Sequence, residues 1–259
     1  MARGAQVEPQ GGLPAPLPPE RRTVGQLVAE TIRLYGANFA RALALGLVVA
    51  ITNQLAVHRS AVDGAVVFVA ASPFFTLAYA YATRLATGVA ASSRAWGVAL
   101  VTGTLVFAPA AALISWFKLA VVLWLALVGL VVPVALVERA SFRGTFRRAL
   151  ALGRVDYVHA AGSLAALALV FGLSEWALTL VLHSQADNTV RTAVFLADVV
   201  LGPLLFLGAA LLYVDQDARL RSRREHGSRG KERDGDLPDV DDSDREGHPD
   251  AAREPGTFA

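Results

Sequence analysis

The sequence predicts an all-α fold: a polytopic bundle of six transmembrane helices with two amphipathic helices at the interface. Three observations predict it. Hydrophobic residues make up 54% of the 259-residue chain, before its 22 glycines are counted, whereas soluble domains average about 45–50% with glycine included. Charges are sparse, at 18%, and unevenly placed: 8 fall in residues 1–41, 16 in 42–214 and 22 in 215–259. Six segments, roughly 39–57, 65–83, 96–117, 119–137, 160–182 and 192–214, approach or exceed the about 20 apolar residues that cross a 30 Å hydrocarbon core.

Residues 1–22 are Pro-rich, read as a disordered lead, and carry no apolar stretch of the signal-peptide kind. Insertion is therefore expected to begin with the first span. Next, Thr23-Val24-Gly25-Gln26 forms a Thr-x-x-Gln capping box. Behind it Val24, Leu27, Val28, Thr31, Ile32 and Tyr35 repeat at helical spacing, with Glu30 and Arg33 on the other face, which describes a helix lying at the inner interface.

The first span, 39–57, is weakened by Asn53 and Gln54 near its far end. The third and fourth arise from one apolar run, 95–137, interrupted by Lys118. As a single helix it would be about twice the membrane thickness, so a hairpin is expected at Lys118, with Trp116 at interface depth. Pro73, Pro109, Pro133 and Pro203 each fall inside a span, where a kink is the ordinary consequence. Residues 141–154 form the second interfacial helix. Phe142, Phe146, Ala149, Leu150 and Gly153 share one arc, flanked by Arg143, Arg147 and Arg154. These three arginines are expected either to contact anionic lipid head groups or to dock a membrane protein partner.

Orientation follows from the basic residues flanking the spans. Fifteen lie on the side of the N-terminus and three, Arg59, Lys118 and Arg191, on the other. This bias predicts an inner-membrane protein with both termini cytoplasmic. Residues 216–259 carry seven basic residues between Arg219 and Arg233, then nine acidic ones in 234–254, and read as a disordered charged tail. The domain expectation is thus a lead (1–22), a membrane domain (23–215) and a tail (216–259).

Ionisable groups inside spans are where chemistry is sought first. Glu175 and Asp198 lie at nearly equal distances from the loop joining spans five and six, so an antiparallel hairpin puts both carboxyls at one depth. Two such groups do not both stay charged cheaply, and one is expected to be protonated or paired. Lys118, His183 and Arg191 lie on the outer side as partners within reach. Two readings stay open: a proton, cation or head-group site, or interhelical hydrogen bonding alone. No metal-ligand spacing, nucleophile elbow or P-loop is found and cysteine is absent. No cofactor, catalytic residue or nucleic-acid partner is expected. A weak internal echo aligns 34–39 with 152–157, pairing Asn38 with Asp156 and Phe39 with Tyr157.

Several segments together resemble a known family. Thr23-Val24-Gly25-Gln26-Leu27 with Arg33-Leu34-Tyr35-Gly36-Ala37-Asn38-Phe39, then Pro133-Val134-Ala135-Leu136-Val137-Glu138 and Phe146-Arg147-Arg148-Ala149-Leu150-Ala151-Leu152, are similar to the membrane domain of bacterial glycerophosphoryl diester phosphodiesterases and its stand-alone multi-span relatives. Gly202-Pro203 and Leu212-Tyr213-Val214-Asp215 with Arg219 resemble its closing span. The chain departs from it at Gly153-Arg154-Val155-Asp156, which leaves the length of the inner helix open. The resemblance implies a six-span helical fold and brings no catalytic residues. A phosphodiesterase needs a soluble barrel of about 200 residues or more, and the flanks here are too short for one. The leading expectation is a non-enzymatic membrane organiser or accessory protein that contacts lipid or a partner. The second is a small transporter or channel-like protein that uses Glu175 and Asp198.

Overall fold

The computed structural model describes residues 18–114 and 116–235, and the regular structure among them is helical. After one 3-10 turn at Pro19–Arg21, the elements are α1 (Val24–Ala37), α2 (Phe39–Ala56), α3 (Ala61–Thr87), α4 (Ser93–Leu113), α5 (Lys118–Val128), α6 (Val131–Val137), α7 (Phe142–Val155), α8 (Tyr157–Val181) and α9 (Asp187–Gly235). Six stretches are long and apolar enough to cross a membrane: α2, α3, α4, the α5–α6 pair, α8 and α9 as far as His226. The chain is a multi-pass membrane protein. It divides into two units, Met1–Arg221 and Ser222–Ala259. The first holds the bundle, and the second is helical over its described residues.

Each expected span is present, with ends shifted by a few residues. The hairpin between the third and fourth falls where Lys118 interrupts the apolar run, and Lys118 opens α5. The fourth span is itself discontinuous. Pro133 has no N–H to give the carbonyl of Gly129, four residues earlier, and its ring crowds that carbonyl. The helix breaks there, between Val128 and Val131. Pro73, Pro109 and Pro203 sit inside helices that continue past them. At the same offset those prolines have Val69, Leu105 and Val199; only Pro133 has glycine, the weakest helix former of the four.

The short α6 is the centre of the bundle, with Val131 through Leu136 all buried. It packs against α3, α4 and α7. By contrast α8 buries only Ala160, Ser163 and Leu167, and turns Val158, Leu169, Leu173, Trp176 and Val181 outward. A lipid-facing surface of that kind is what a peripheral span needs. The last helix crosses α2 at very close range: a Cβ on Gly46 would lie 2.1 Å from the carbonyl oxygen of Val199. That carbonyl is the one Pro203 leaves without a helical donor, so Gly46 fits where the α9 ladder is already open.

Both interfacial helices form, and both pack on protein. The capping box at Thr23 and Gln26 is complete. The buried stripe of α1 is narrower than the sequence pattern, comprising Leu27, Thr31 and Tyr35, and Ile32 is 55% exposed. Leu27 joins a cluster with Ala126, Ala160, Leu167 and Leu212. On α7 the buried residues are Thr145, Ala149, Leu152, Gly153 and Val155. Phe142 is exposed and stacks edge-on with Phe146, ring centres 5.4 Å apart. The expected arc is therefore rotated. A Cβ at Gly153 would meet the Leu127 carbonyl at 2.3 Å, and this close approach to the end of α5 fixes which face turns inward. Gly153 lies within the helix, which runs to Val155 and settles its length.

The echo between the two halves has a structural counterpart. α1 and α7 are each 14 residues long, and each is joined to the following span by a single polar residue, Asn38 or Asp156. Asp156 caps α8 through His159 N at 3.1 Å, whereas Asn38 turns back to the carbonyl of Leu34 at 3.1 Å.

Two domain boundaries need correction. Residues 216–235, assigned by composition to a disordered tail, are helical, and Asp215, Gln216 and Asp217 are buried. The apolar count stops at Val214, but hydrogen bonds and ion pairs carry the helix onward. Arg22, counted with the lead, is likewise part of the membrane domain through an ion pair to Asp215. The rest of the lead through residue 17, and residues 236–259 of the tail, lie outside the described residues.

Candidate functional site

The structure brings Glu175 of α8 and Asp198 of α9 together. Their carboxyls are within hydrogen-bonding reach of one another, and the charge of Lys118 acts on Glu175. Asp198 is fully buried and takes a hydrogen bond from Asn53 Nδ2 to Oδ2 at 2.9 Å. Glu175 Oε1 and Asp198 Oδ1 are buried with no donor.

Glu175 lines a cavity of about 530 Å³ that receives side chains from all six spans, whereas Asp198 is fully buried outside its lining. Glu175, Lys118 and Asn53 form its polar end. Most of the remaining wall is apolar, including Phe68, Phe75, Phe107, Phe171 and Phe206. Gly129 and Leu130, at the break in the fourth span, line it as well. The volume falls within the roughly 300–1,000 Å³ of small-molecule sites, and a discontinuous helix beside a membrane cavity is a recurrent way to build a transporter binding site.

The other outer residues do not reach the pair. Arg191 is held by Gln54, which donates from Nε2 to the Arg191 carbonyl at 3.0 Å and accepts from its Nη2 at 3.5 Å. His183 folds onto its own helix end, with Nδ1 2.8 Å from the Leu180 carbonyl. It sits past the last turn of α8, where open carbonyls are nearer than the acids. Asn53 and Gln54, read from sequence as a weakness of the first span, are instead the polar rungs between α2 and α9. Asn at a position facing two membrane acids was the available signal.

A second polar cluster, at the end of the bundle that the basic bias predicts to face inward (the inner end below), escaped the sequence pattern. Arg22 Nη1 meets Asp215 Oδ1 at 2.7 Å. Arg219 Nη1 meets Asp156 Oδ2 at 2.6 Å, and its Nη2 donates to the Arg22 carbonyl at 2.7 Å. Gln216 Nε2 donates to the Asp156 carbonyl at 3.1 Å. Beside these, Arg148 Nε is 2.9 Å from both Glu138 oxygens, and its Nη2 is 2.7 Å from Asp217. Tyr213 donates to Glu138 at 3.3 Å. Arg219, counted from composition with the charged tail, is thus spent on Asp156. The signal was four acids, Glu138, Asp156, Asp215 and Asp217, set among the arginines of the basic side.

Of the head-group residues expected on α7, Arg143, Arg147 and Arg154 are all exposed. Among the described residues none of the three joins an ion pair. Among the described residues no group of three or more potential ligands is positioned to hold a metal ion. Compared with protein-family models, with curated proteins and with solved structures, the chain matches none.

Proposed function

We propose that this chain is a small carrier of the cell membrane, both termini cytoplasmic, that uses the Glu175–Asp198 pair as a proton-linked binding site. The observation that carries the reading is the position of the pair: two interacting carboxyls, short of donors, one of which, Glu175, stands in the wall of a cavity built by all six spans. A purely structural contact between α8 and α9 needs no cavity beside it, and a buried acid is costly unless it is used. The broken fourth span puts a discontinuous helix in the cavity wall, as in membrane transport sites built on broken helices. The fifteen-to-three basic bias supports the orientation. No nucleophile–base pair accompanies the acids, and the reading is non-enzymatic.

Proteoliposomes made with a total lipid extract of the producing cells test this. The wild type is expected to dissipate an imposed pH gradient, followed by an internal dye, while Glu175→Gln and Asp198→Asn do not. Equal rates in all three proteins would remove the pair from the mechanism.

The accessory reading keeps one observation in its favour. Arg143, Arg147 and Arg154 are exposed on α7 without ion partners, as a surface for anionic lipid or a membrane partner requires. It accounts for the inner face and leaves the cavity without a role.

A further inference from the structure

The polar end of the cavity carries both signs of charge. The Glu175 carboxyl and the Lys118 ammonium both stand in its wall. A purely anionic head group would satisfy Lys118 and be repelled by the acids. A purely cationic amphiphile would meet the reverse problem. A head group bearing both charges matches the site. The kind of cation is also constrained. Glu175 lines the cavity, and its Oε1 is a buried acceptor without a donor. A primary ammonium brings three N–H donors, whereas a quaternary ammonium brings none. The phenylalanine-lined remainder of the cavity suits an apolar chain and offers it few polar groups.

We infer that the cavity takes one zwitterionic amphiphile, its primary ammonium on Glu175, its phosphate on Lys118 and an apolar chain among the phenylalanines. The inference rests on the carrier reading of this site and names its substrate class. Recognition is by charge-assisted hydrogen bonds at one end and by burial of the chain at the other. Selectivity between ammonium types follows from the acceptors left unpaired by the wrong head.

The test uses the full chain in nanodiscs containing equal amounts of phosphatidylethanolamine, phosphatidylcholine and phosphatidylglycerol, with the lipid that stays bound through detergent extraction quantified by mass spectrometry. The wild type is expected to retain phosphatidylethanolamine over phosphatidylcholine by about tenfold, the effect of one charge-assisted hydrogen bond present in only one complex. The Glu175→Gln/Asp198→Asn double variant should fall back to the supplied ratio, and Lys118→Gln should lower retention of phosphatidylethanolamine. Equal retention of the two lipids by the wild type, preferential retention of phosphatidylglycerol, or a preference that survives the double variant would each overturn the inference. Gradient dissipation measured on the same proteins separates the two readings. Dissipation that needs Glu175 without lipid selectivity overturns the substrate class alone. Selectivity without Glu175-dependent dissipation overturns the carrier and leaves the lipid site.

Discussion

The two ends of the bundle bury acids in opposite ways. At the inner end every acid of the cluster meets an arginine: Asp215 with Arg22, Asp156 with Arg219, Glu138 and Asp217 with Arg148. The partners come from the segment before α1, from α7 and from α9, so the network ties together parts of the chain far apart in sequence. Toward the outer side Asp198 meets an amide, Asn53, and another acid, Glu175. Lys118 is near but exposed. Matched charges hold a fold together, because removing either member strands the other in a poorly solvated place. Mismatched acids hold little together, and their unfilled acceptors are an invitation to a ligand or a proton. One helix, α9, carries acids of both kinds, and this makes the contrast testable within a single element.

The largest effect is expected at the inner end. Arg148→Ala leaves Glu138 and Asp217 without their shared cation. The variant should lose about 3 kcal/mol of stability, no more than the low end for a broken buried pair, because Arg148 and Glu138 keep solvent contact and Asp217 keeps Arg221 at 2.6 Å. Equilibrium unfolding in mixed micelles measures this. A loss below about 0.5 kcal/mol, the scale of exposed pairs, would place the network with surface salt bridges and dissolve the contrast.

An intermediate effect is expected where α2 and α9 cross. Gly46→Ala puts a methyl group against the Val199 backbone, one residue from Asp198, and overpacking of this kind costs about 1–3 kcal/mol. Since Asn53 lies two turns further along α2, the shift should also stretch the Asn53–Asp198 bond while the inner ion pairs stay intact. Gly25→Ala, where no atom lies within 4 Å of the added carbon, is the control. If the two alanine variants unfold alike, the crossing is looser than the Gly46 contact requires.

The smallest effect on stability belongs to the acid pair itself. Glu175→Gln and Asp198→Asn supply neutral side chains that still hydrogen-bond, so each should be as stable as the wild type or more stable by about 1 kcal/mol. Their cost should fall on transport instead. A loss as large as that of Arg148→Ala would make the pair a structural fastening, like its counterpart at the inner end.

Much of this protein was legible in its sequence. Hydropathy marked six spans because the bilayer demands about 20 apolar residues whatever the neighbours are. The hairpin at Lys118, the capping box at Thr23 and the common depth of Glu175 and Asp198 followed from local chemistry and loop arithmetic. The neighbours themselves were not legible. Lipid and protein interior are both apolar, so α6, buried throughout, and α8, mostly facing outward, read alike as hydrophobic runs. Pro133, with glycine four residues before it, breaks its helix while three other prolines do not, a local cue that a hydropathy count passes over. Tertiary packing turned the Gly153 edge of the expected arc inward and left Phe142 exposed, and it gave Asn53 to Asp198. The inner ion pairs were hidden for a related reason. Composition averages over a segment, and Asp215, Gln216 and Arg219 look like the start of a charged tail until Arg22 and Asp156 arrive from elsewhere in the chain to meet them.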